Sequence, residues 1–349
     1  MNKILSAIGV GVVALLALTA CGTAAAETPA STAAAVEAGN LDALVAAAKK
    51  EGTLRIYGQI PEASMTALSN DFQKKYGITV EALRLGGNTL AQRFDTETQA
   101  HTPSADMIVV VDVQYLATAA KAGSVVAYSK SGVADLLDLP KEAVFSDYDA
   151  PSVQVLDTGF IYNTDKVRKS EIPTTWSALE DPSWKGRYCA VDPGTSVNVA
   201  HSFWSVGQKE GADALKKLGE NIGRWYPNVI AMNEAVAVGE CQLGLFSAKF
   251  FVAGMQGNGA KVEFATAPSS VPPLVSAAVA AKAEHPNAAR LFMEYLLSKE
   301  GNAVLNNPDT GSIGPWDMAR LPAGFSAPTP DDFQRVHEAT PDVIKALGL

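Results

Sequence analysis

Short apolar runs that suit buried strands alternate with amphipathic segments that suit helices from about residue 41 onward. The run at 106–111 is almost continuously apolar, as expected of a strand that is buried on both faces. Ahead of it, strands are predicted at 53–57 and 79–83, and each is followed by a helical segment. Because strands that alternate with helices usually pair in parallel, this part of the chain predicts a doubly wound α/β sheet.

A second stretch with the same organisation follows. Strands are predicted at 158–163, 187–191, 242–246 and 275–281, with helices between them, and an amphipathic helix is predicted at 287–298. A chain of 349 residues is long enough for about two domains of roughly 150 residues each. We therefore predict the α/β fold class, with two doubly wound α/β lobes.

Two early helices have recognisable ends in the sequence. The first is predicted over 41–50 and ends at Gly52, because glycine tolerates the left-handed conformation that follows many helices. The second is predicted to begin with Ser64 as its N-cap and to end at Gly77. These ends delimit the strands that precede and follow the second helix.

Composition and charge exclude several classes of protein. Hydrophobic residues make up 47% of the chain and charged residues 19%, with a mean hydropathy of +0.06. This composition is too apolar for a disordered chain, and its charges are too evenly spread for a membrane protein with many spans. The 28 basic and 37 acidic residues give a net charge of −9. A surface of that sign repels phosphate backbones, so we expect no nucleic-acid partner.

The first 21 residues have the pattern of an export signal. Lys3 precedes an apolar run over 4–17, which is shorter than the roughly 20 residues that span a bilayer. The run ends in Leu-Thr-Ala-Cys at 18–21, which resembles the lipobox of bacterial lipoproteins, where the cysteine is acylated and becomes the new N-terminus. We therefore predict lipidation of Cys21. The alternative is an ordinary signal peptide with a cysteine nearby.

These observations predict a lipoprotein signal peptide at 1–20 and a flexible tether at 21–40, since the latter segment consists mainly of small and polar residues. The folded body is then expected to be extracytoplasmic and attached to the membrane through its N-terminal lipid. Whether the host has one membrane or two stays open.

The other two cysteines are Cys189 and Cys241. In an exported protein two cysteines more often form a disulfide than remain free thiols, and both alternatives are kept here. The sequence has no CxxC motif and no cluster of cysteine and histidine, so we expect no zinc site.

Motifs for catalysis are absent from the sequence. We find no GxSxG, no HExxH, no P-loop and no GxGxxG between a strand and a helix. The four histidines are scattered and are predicted to be surface or capping residues: His101, His201, His285 and His337. We therefore expect a protein that is not an enzyme and has no cofactor. An exported hydrolase is a less favoured alternative, which a turnover assay would test.

Several polar residues stand where a strand gives way to a loop or helix, which is where open α/β sheets bind ligands. Glycines near some of them would let the backbone approach a ligand, and helix N-termini favour anions. The alternative is that the hydroxyl and amide residues only cap helices. The predicted polar ligand-binding residues are Gln59, Asn88, Thr89, Thr195, Ser196 and Lys249.

A set of short segments extends over nearly the whole mature chain and resembles one known family. They lie at 57–59, 104–107, 158–163, 173–179, 181–187, 285–290 and 297–301. In their order and spacing, the chain resembles the extracellular solute-binding proteins of bacterial ABC importers, in the ferric-iron-type branch of the type II periplasmic binding proteins.

This resemblance implies two lobes, a hinge and a ligand cleft between the lobes, with delivery of the ligand to a permease that an ATPase powers. It implies interleaved lobes, one at 41–150 plus 265–320 and the other at 151–264 plus 321–349. Because 187–191 and 242–246 would then share one lobe, the resemblance favours the disulfide. Docking to a permease needs free lobe faces, so a monomer is expected.

The residues depart from those of the iron-binding members, which hold Fe(III) with a histidine after the first strand and two adjacent tyrosines. Hard Fe(III) favours such anionic oxygen donors. The histidine position falls on Ile60, and the tyrosine pair falls within 247–251, which reads Ser-Ala-Lys-Phe-Phe. We therefore expect no metal site.

Lys249, Phe250 and Phe251 instead offer a cation and two aromatic faces. If they reach the cleft, they suit an organic anion such as a carboxylate, sulfonate or phosphonate. The alternative is that they are core and surface residues. A second candidate function is the binding of ferric iron through an anion or chelator. Further wall contacts could come from Trp204, Trp225 and Tyr226.

Overall fold

Two β-sheets organise the protein in a computed structural model that describes residues 39–86, 89–102, 104–306, 312–321 and 327–349. All of these residues belong to one compact unit, Ala35–Leu349. The predicted signal peptide, Cys21, Asn88 and nearly all of the tether lie outside the described residues.

The described residues form thirteen strands and eleven α-helices, with short 3-10 turns between them. The strands are β1 (Thr53–Gly58), β2 (Thr79–Arg84), β3 (Met107–Val110), β4 (Val125–Val126), β5 (Val144–Phe145), β6 (Ala150–Leu156), β7 (Thr158–Asn163), β8 (Tyr188–Val191), β9 (Ile222–Tyr226), β10 (Leu243–Ala248), β11 (Val262–Thr266), β12 (Leu274–Ala280) and β13 (Ser312–Ile313). The helices are α1 (Leu41–Glu51), α2 (Glu62–Tyr76), α3 (Thr89–Gln99), α4 (Val113–Lys121), α5 (Val197–Glu210), α6 (Ala212–Asn221), α7 (Val229–Ala237), α8 (Lys249–Gly257), α9 (Pro286–Leu297), α10 (Lys299–Leu305) and α11 (Pro330–Ala346).

The first sheet has the strand order β13-β6-β12-β3-β1-β2, and β4 and β5 pair at its side. Alternate residues of β3 point to opposite faces, as the strand's period of two requires. Met107 and Val109 join a core with α1, α2 and α9, whereas Ile108 and Val110 join a core with α3 and α4. Helices thus cover both faces, as the doubly wound prediction required.

The sheet is mixed rather than wholly parallel. β1 pairs in parallel with β2 and β3, as predicted, but β12 runs antiparallel to both β3 and β6. The physical reason is the path of the chain: β6 leaves this sheet, and β12 returns to it from the second sheet without a crossover helix.

The second sheet has the order β11-β7-β10-β8-β9. Strands β10, β8 and β9 are parallel neighbours, and β7 is antiparallel to β10 and β11. One hydrophobic core joins this sheet to the helices around it, with Phe160, Phe203, Leu215 and Val343 among its members. The C-terminal helix α11 contacts α5 and α6, so it packs beside this sheet.

Two of the helix ends test the local predictions directly. α1 ends at Gly52, whose φ of 73° is left-handed, and α2 ends at Gly77 with φ 72°, both as predicted. The predicted start of α2 is wrong, because the helix begins at Glu62 behind Pro61 and not behind Ser64. Proline fixes φ near the helical value and is well suited to the start of a helix.

The chain crosses between the two sheets at two well-defined places. Asp157 is the only residue between β6 in the first sheet and β7 in the second, and 267–273 joins β11 to β12. Strand pairing therefore places 151–156 with the first sheet, whereas the predicted lobe boundary was at 150. The residue bounds of the two predicted lobes stay a prediction.

The predicted disulfide is present between Cys189 and Cys241, with a Cα–Cα distance of 6.2 Å. It ties β8 to the segment just before β10. No helix in the part of the chain that the structure describes combines the length and the apolar character needed to cross a bilayer.

Candidate ligand-binding cavity

A cavity of about 830 Å³ lies where strands of both sheets end. Its walls include residues that follow β1, β2 and β3 in the first sheet and residues that follow β8, β9 and β10 in the second. The two crossing segments add Leu156, Thr158, Val271 and Pro273. This is the position at which open α/β sheets bind ligands.

Six helices begin at this cavity among the described residues. At or next to each N-terminus, one residue lines the wall: Pro61 for α2, Thr89 for α3, Asp112 for α4, Ser196 for α5, Asn228 for α7 and Ala248 for α8. Helix N-termini carry partial positive charge and free N–H groups. Asp112 and Asn228 cap their own helices, whereas the side chains of Pro61, Ser196 and Ala248 make no capping hydrogen bond. The six helix N-termini around the cavity together favour a ligand with negative charge.

Arg84, at the end of β2, is the full positive charge on the wall. Its neighbour in the pairing of β1 and β2 is Gly58, and Gln59 follows at the end of β1. The guanidinium is partly buried, and no ion pair between described residues includes it. A guanidinium without a carboxylate partner on a cavity wall is a ready site for an anion.

Gln59 has a positioning contact within the first sheet. Its side-chain oxygen accepts a hydrogen bond of 2.6 Å from the Val111 N–H, and its own N–H donates to the Val109 carbonyl. These bonds tie the loop after β1 to the loop after β3 and hold both at the cavity wall.

Asp112 is the only acidic residue on the wall in the part of the chain that the structure describes. Its Oδ1 accepts a hydrogen bond of 3.1 Å from the Tyr115 N–H and thereby caps α4. Burial raises the pKa of this carboxyl, and hydrogen bonds from the Tyr115 and Gln114 backbone oppose that shift.

A β-bulge in β10 shapes the apolar part of the wall. The pairing of β10 with β7 skips Phe246, whose φ of 61° lies in the left-handed region that non-glycine residues rarely adopt. Phe246 lines the cavity and also packs on Phe203 and Trp176. Phe250 lies further along the chain and lines the same wall. Such strained positions often accompany binding sites.

Thr158, the first residue of β7, lines the cavity and is only 4% exposed. Its Oγ1 makes no hydrogen bond, which is unusual for a buried hydroxyl. The Thr158 carbonyl, in contrast, accepts a hydrogen bond from the Ser270 hydroxyl.

The two sheets also meet across the cavity. Asn198 on α5 donates a hydrogen bond of 3.4 Å from Nδ2 to the Val111 carbonyl of the first sheet. Both residues line the cavity. The contact brings the N-terminal turn of α5 over the loop that holds Asp112.

The cavity wall includes most of the side chains predicted from sequence: Gln59, Thr89, Thr195, Ser196, Phe250 and Phe251. Lys249 is not among the lining residues. Its N–H donates to the Asp157 carbonyl. Burial raises the pKa of the Asp157 carboxyl, and the charge of Lys249 opposes that shift. Asn88 is outside the described residues.

The three additional aromatic candidates do not line the cavity. Tyr226 is buried in the core of the second sheet, and Trp204 and Trp225 pack against that core. Sequence reasoning missed Arg84, Asp112, Thr158 and Phe246. A signal was available for Arg84, since it directly follows the predicted strand at 79–83.

The histidines offer no metal centre. His201 is 5% exposed and lies between Trp204 and Phe333, so its prediction as a surface or capping residue is wrong. His285 precedes α9 and contacts the Asp106 carboxylate at 2.9 Å. Among the described residues, no group of three or more His, Cys, Asp or Glu side chains is placed to hold a metal ion.

Comparisons with known proteins agree on the fold. An uncharacterized protein of Haemophilus influenzae is 26% identical over 268 residues, which cover 74% of this chain and 76% of that protein. Iron-bound HitA of Pseudomonas aeruginosa has a TM-score of 0.63 at 22% identity, over 85% of this chain and 99% of that one. AfuA of Actinobacillus pleuropneumoniae, with fructose-6-phosphate bound, has a TM-score of 0.65 at 20% identity, over 84% and 99%.

These structures show that the fold is that of the two-lobed periplasmic binding proteins. The family model for bacterial extracellular solute-binding proteins matches residues 57–303, which is most of the chain. The cavity between the ends of the two sheets stands where such a protein would hold its solute. The chain belongs to the family of bacterial extracellular solute-binding proteins.

Proposed function

We propose that this protein captures a small organic anion in the cavity and delivers it to the permease of an ABC importer. The observation that carries the proposal is Arg84, a partly buried guanidinium on the cavity wall that no described carboxylate pairs with. The N-termini of α3 and α5, at Thr89 and Ser196, add partial positive charge at the same wall.

The size and the apolar part of the wall support an organic ligand. A volume of about 830 Å³ falls within the roughly 300–1,000 Å³ of small-molecule sites. Phe246, Phe250 and Phe251 give the wall aromatic faces that a bare ion would leave without a partner. An anion with a carbon body, such as a carboxylate, sulfonate or phosphonate, uses both kinds of surface.

Ferric iron held through an anion or chelator is the second candidate. It is supported by the likeness to HitA, whose structure contains iron. By resemblance, the histidine position of the iron-binding members falls on Ile60 and one of their tyrosine positions at or near Phe250, and both residues line the wall of this cavity. A chelated iron would then be held by contacts to its anion, with Arg84 as the contact.

The remaining parts of the proposal concern location and partners. Acylation of Cys21 would attach the protein to the membrane and leave the folded body outside the cytoplasm. The body would work as a monomer that presents both lobes to a permease driven by an ATPase.

Binding is tested with the mature body by calorimetry against a fixed panel. The panel contains simple carboxylates, sulfonates and phosphonates, sugar phosphates, and ferric citrate. A hydrogen-bonded charge contributes about 1.5–3 kcal/mol, so Arg84→Gln is expected to weaken binding of the organic anion about 10- to 100-fold. Arg168→Gln is the matched control, because Arg168 is a surface residue paired with Glu171.

The same assay decides between the two candidate cations. Lys249→Ala should leave the affinity unchanged if Arg84 holds the anion, whereas a loss only in Lys249→Ala would contradict the assignment to Arg84. Binding of ferric citrate alone, with no response to the organic anions, would favour the iron alternative. No response to any member of the panel would overturn the proposed ligand class.

A further inference from the structure

Asp112 presents a carboxylate to the cavity that the proposed anion does not explain. Arg84 and Asp112 are the two charged side chains on the wall in the described part of the chain. An anionic ligand would neutralise Arg84 but would add a second negative charge to the cavity that holds Asp112. Like charges in a site with little water repel each other strongly.

Helix capping accounts for the residue's position but not for its charge. Asp112 caps α4 through the Tyr115 N–H. Asparagine and serine cap helices about as well as aspartate. Neither of them requires a charge to be removed from water, which is costly when no cation is nearby. A carboxylate here therefore calls for a partner that capping does not supply.

The surroundings of Asp112 contain no such partner. Within the described residues, Asp112 accepts hydrogen bonds from the backbone of its own helix, and no lysine, arginine or histidine forms an ion pair with it. The bond from Asn198 to the Val111 carbonyl brings the N-terminal turn of α5 next to this loop, and Asp112 is partly buried. Burial accordingly raises the pKa of the carboxyl.

A second residue of the same wall also has a polar group without a partner. Thr158 is 4% exposed, lines the same cavity and has a hydroxyl oxygen with no hydrogen-bond partner. Buried hydroxyls are nearly always bonded. Polar groups that lack partners thus occur in two residues of one cavity wall, Asp112 and Thr158.

We propose that the ligand is a zwitterion, whose anionic group binds Arg84 and whose ammonium group binds Asp112. This inference rests on the proposed function, since it assigns the second end of the same ligand. Charge is then balanced at both ends of the site: the guanidinium pairs with the anion and the carboxylate with the ammonium. The chemical class is an amino-substituted carboxylate, sulfonate or phosphonate.

The experiment compares ligands that differ only in the amino group. Unsubstituted alkylphosphonates and ω-aminoalkylphosphonates with two to six carbons are titrated into the mature body, and the corresponding carboxylates are titrated in parallel. The expected result is that at least one amino compound binds ten or more times tighter than its unsubstituted partner. Arg84→Gln should weaken both members of the pair.

Asp112→Asn is the decisive variant, because asparagine keeps the helix cap and removes the charge. It should abolish the preference for the amino compound and raise the affinity for the unsubstituted one, because the carboxylate no longer repels the anion. Asp112→Ser, a second capping residue, should behave in the same way. Circular dichroism and thermal unfolding verify that both variants are folded.

The outcomes separate the two proposals. If unsubstituted anions bind in an Arg84-dependent manner and the amino group adds nothing, the zwitterion is wrong and the anion-binding function stands. A preference for hydroxylated phosphates that depends on Asp112 would likewise overturn the zwitterion, because the carboxylate would then accept a hydroxyl. If no anion binds the wild-type protein, the proposed function itself fails.

Discussion

At the scale of single residues, Asp112 combines a structural contact with a charge that the fold does not stabilise. Its cap on α4 is favourable, but burial makes ionisation of its carboxyl unfavourable and raises its pKa. In the unfolded chain the same carboxyl titrates near 3.9. The folded protein therefore binds this proton more tightly than the unfolded chain does.

This difference predicts a pH dependence of stability. Wherever the folded state binds more protons, the free energy of unfolding falls as the pH rises, and this applies from the unfolded pKa up through the raised folded pKa. Asp112→Asn has no ionisable group at this position, so its free energy of unfolding does not fall for this reason as the pH rises. The variant should therefore gain stability over the wild type as the pH rises through this window, and the gain should be constant at higher pH.

Urea unfolding of both proteins at a series of pH values measures the difference. Other buried carboxyls with raised pKa values, such as Asp157 and Glu294, are common to both proteins and cancel in the comparison. A difference in stability that does not change with pH, or that favours the wild type at neutral pH, would contradict the assignment of the raised pKa to Asp112.

At the scale of elements, the disulfide fixes β8 relative to the start of β10. Cys189 lies in β8 opposite Gly244 of β10, and Cys241 precedes β10 by two residues. The sequence separation of 52 residues encloses α5, α6, β9 and α7, which carry much of the second wall of the cavity. The bridge therefore restricts the part of the second sheet from which Thr195 and Asn228 project.

Removing the bridge is expected to cost stability rather than binding. For a closed loop of this length, chain entropy predicts a loss of about 4 kcal/mol in the free energy of unfolding. Chemical denaturation of the Cys189→Ala/Cys241→Ala double variant measures the loss.

Both cysteines are buried, so the substitution also removes packing atoms. Reduction of the wild type by dithiothreitol is therefore the control, since it leaves both side chains in place. Equal stability in all three samples would contradict the prediction.

The β-bulge in β10 affects which residues line the cavity. The extra residue, Phe246, changes which residues of β10 face β7 from that point onward. Because α8 continues directly from β10, the bulge also sets which face of α8 turns toward the cavity. Phe250 and Phe251 line the wall as a result, while Lys249 lies off it.

At the scale of the whole molecule, the cavity lies at the two places where a strand of one sheet leads directly to a strand of the other. Asp157 and the segment at 267–273 are the connections, and residues from both contribute to or adjoin the cavity. A ligand that binds the folded protein but not the unfolded chain should, at one hundred times its Kd, stabilise the folded state by roughly 2.7 kcal/mol.

Attachment to the membrane is also a property of the whole molecule, and Cys21 is the residue that tests it. In cells fed a labelled fatty acid, the wild-type protein should incorporate the label, and its mature N-terminus should be Cys21. By resemblance to bacterial lipoproteins, acylation needs the cysteine thiol and does not occur on a hydroxyl. Cys21→Ser should therefore abolish both the incorporation of the label and the mature N-terminus at residue 21. Cys189→Ser is a control that keeps Cys21. Equal labelling of Cys21→Ser and the control, or a mature N-terminus elsewhere, would contradict the anchor.

The alternating apolar pattern located seven of the thirteen strands that the structure describes, and the parallel order of β1, β2 and β3 followed from the helices between them. It also placed Gln59, Thr195 and Ser196 at one end of the sheets, because the carboxyl ends of parallel strands share an edge. The resemblance supplied the family. β6 was missed because it contains Ser152 and Gln154, which are buried only through the neighbouring β12.

The choice of cation depended on tertiary structure. Lys249 and Arg84 both stand at the end of a strand, and their sequence neighbourhoods do not distinguish them. The bulge at Phe246 and the crossing at Asp157 decide that Arg84 lines the cavity and Lys249 does not. Local sequence determines where a strand ends, whereas the direction of a side chain at that end is set by pairing and packing with distant residues.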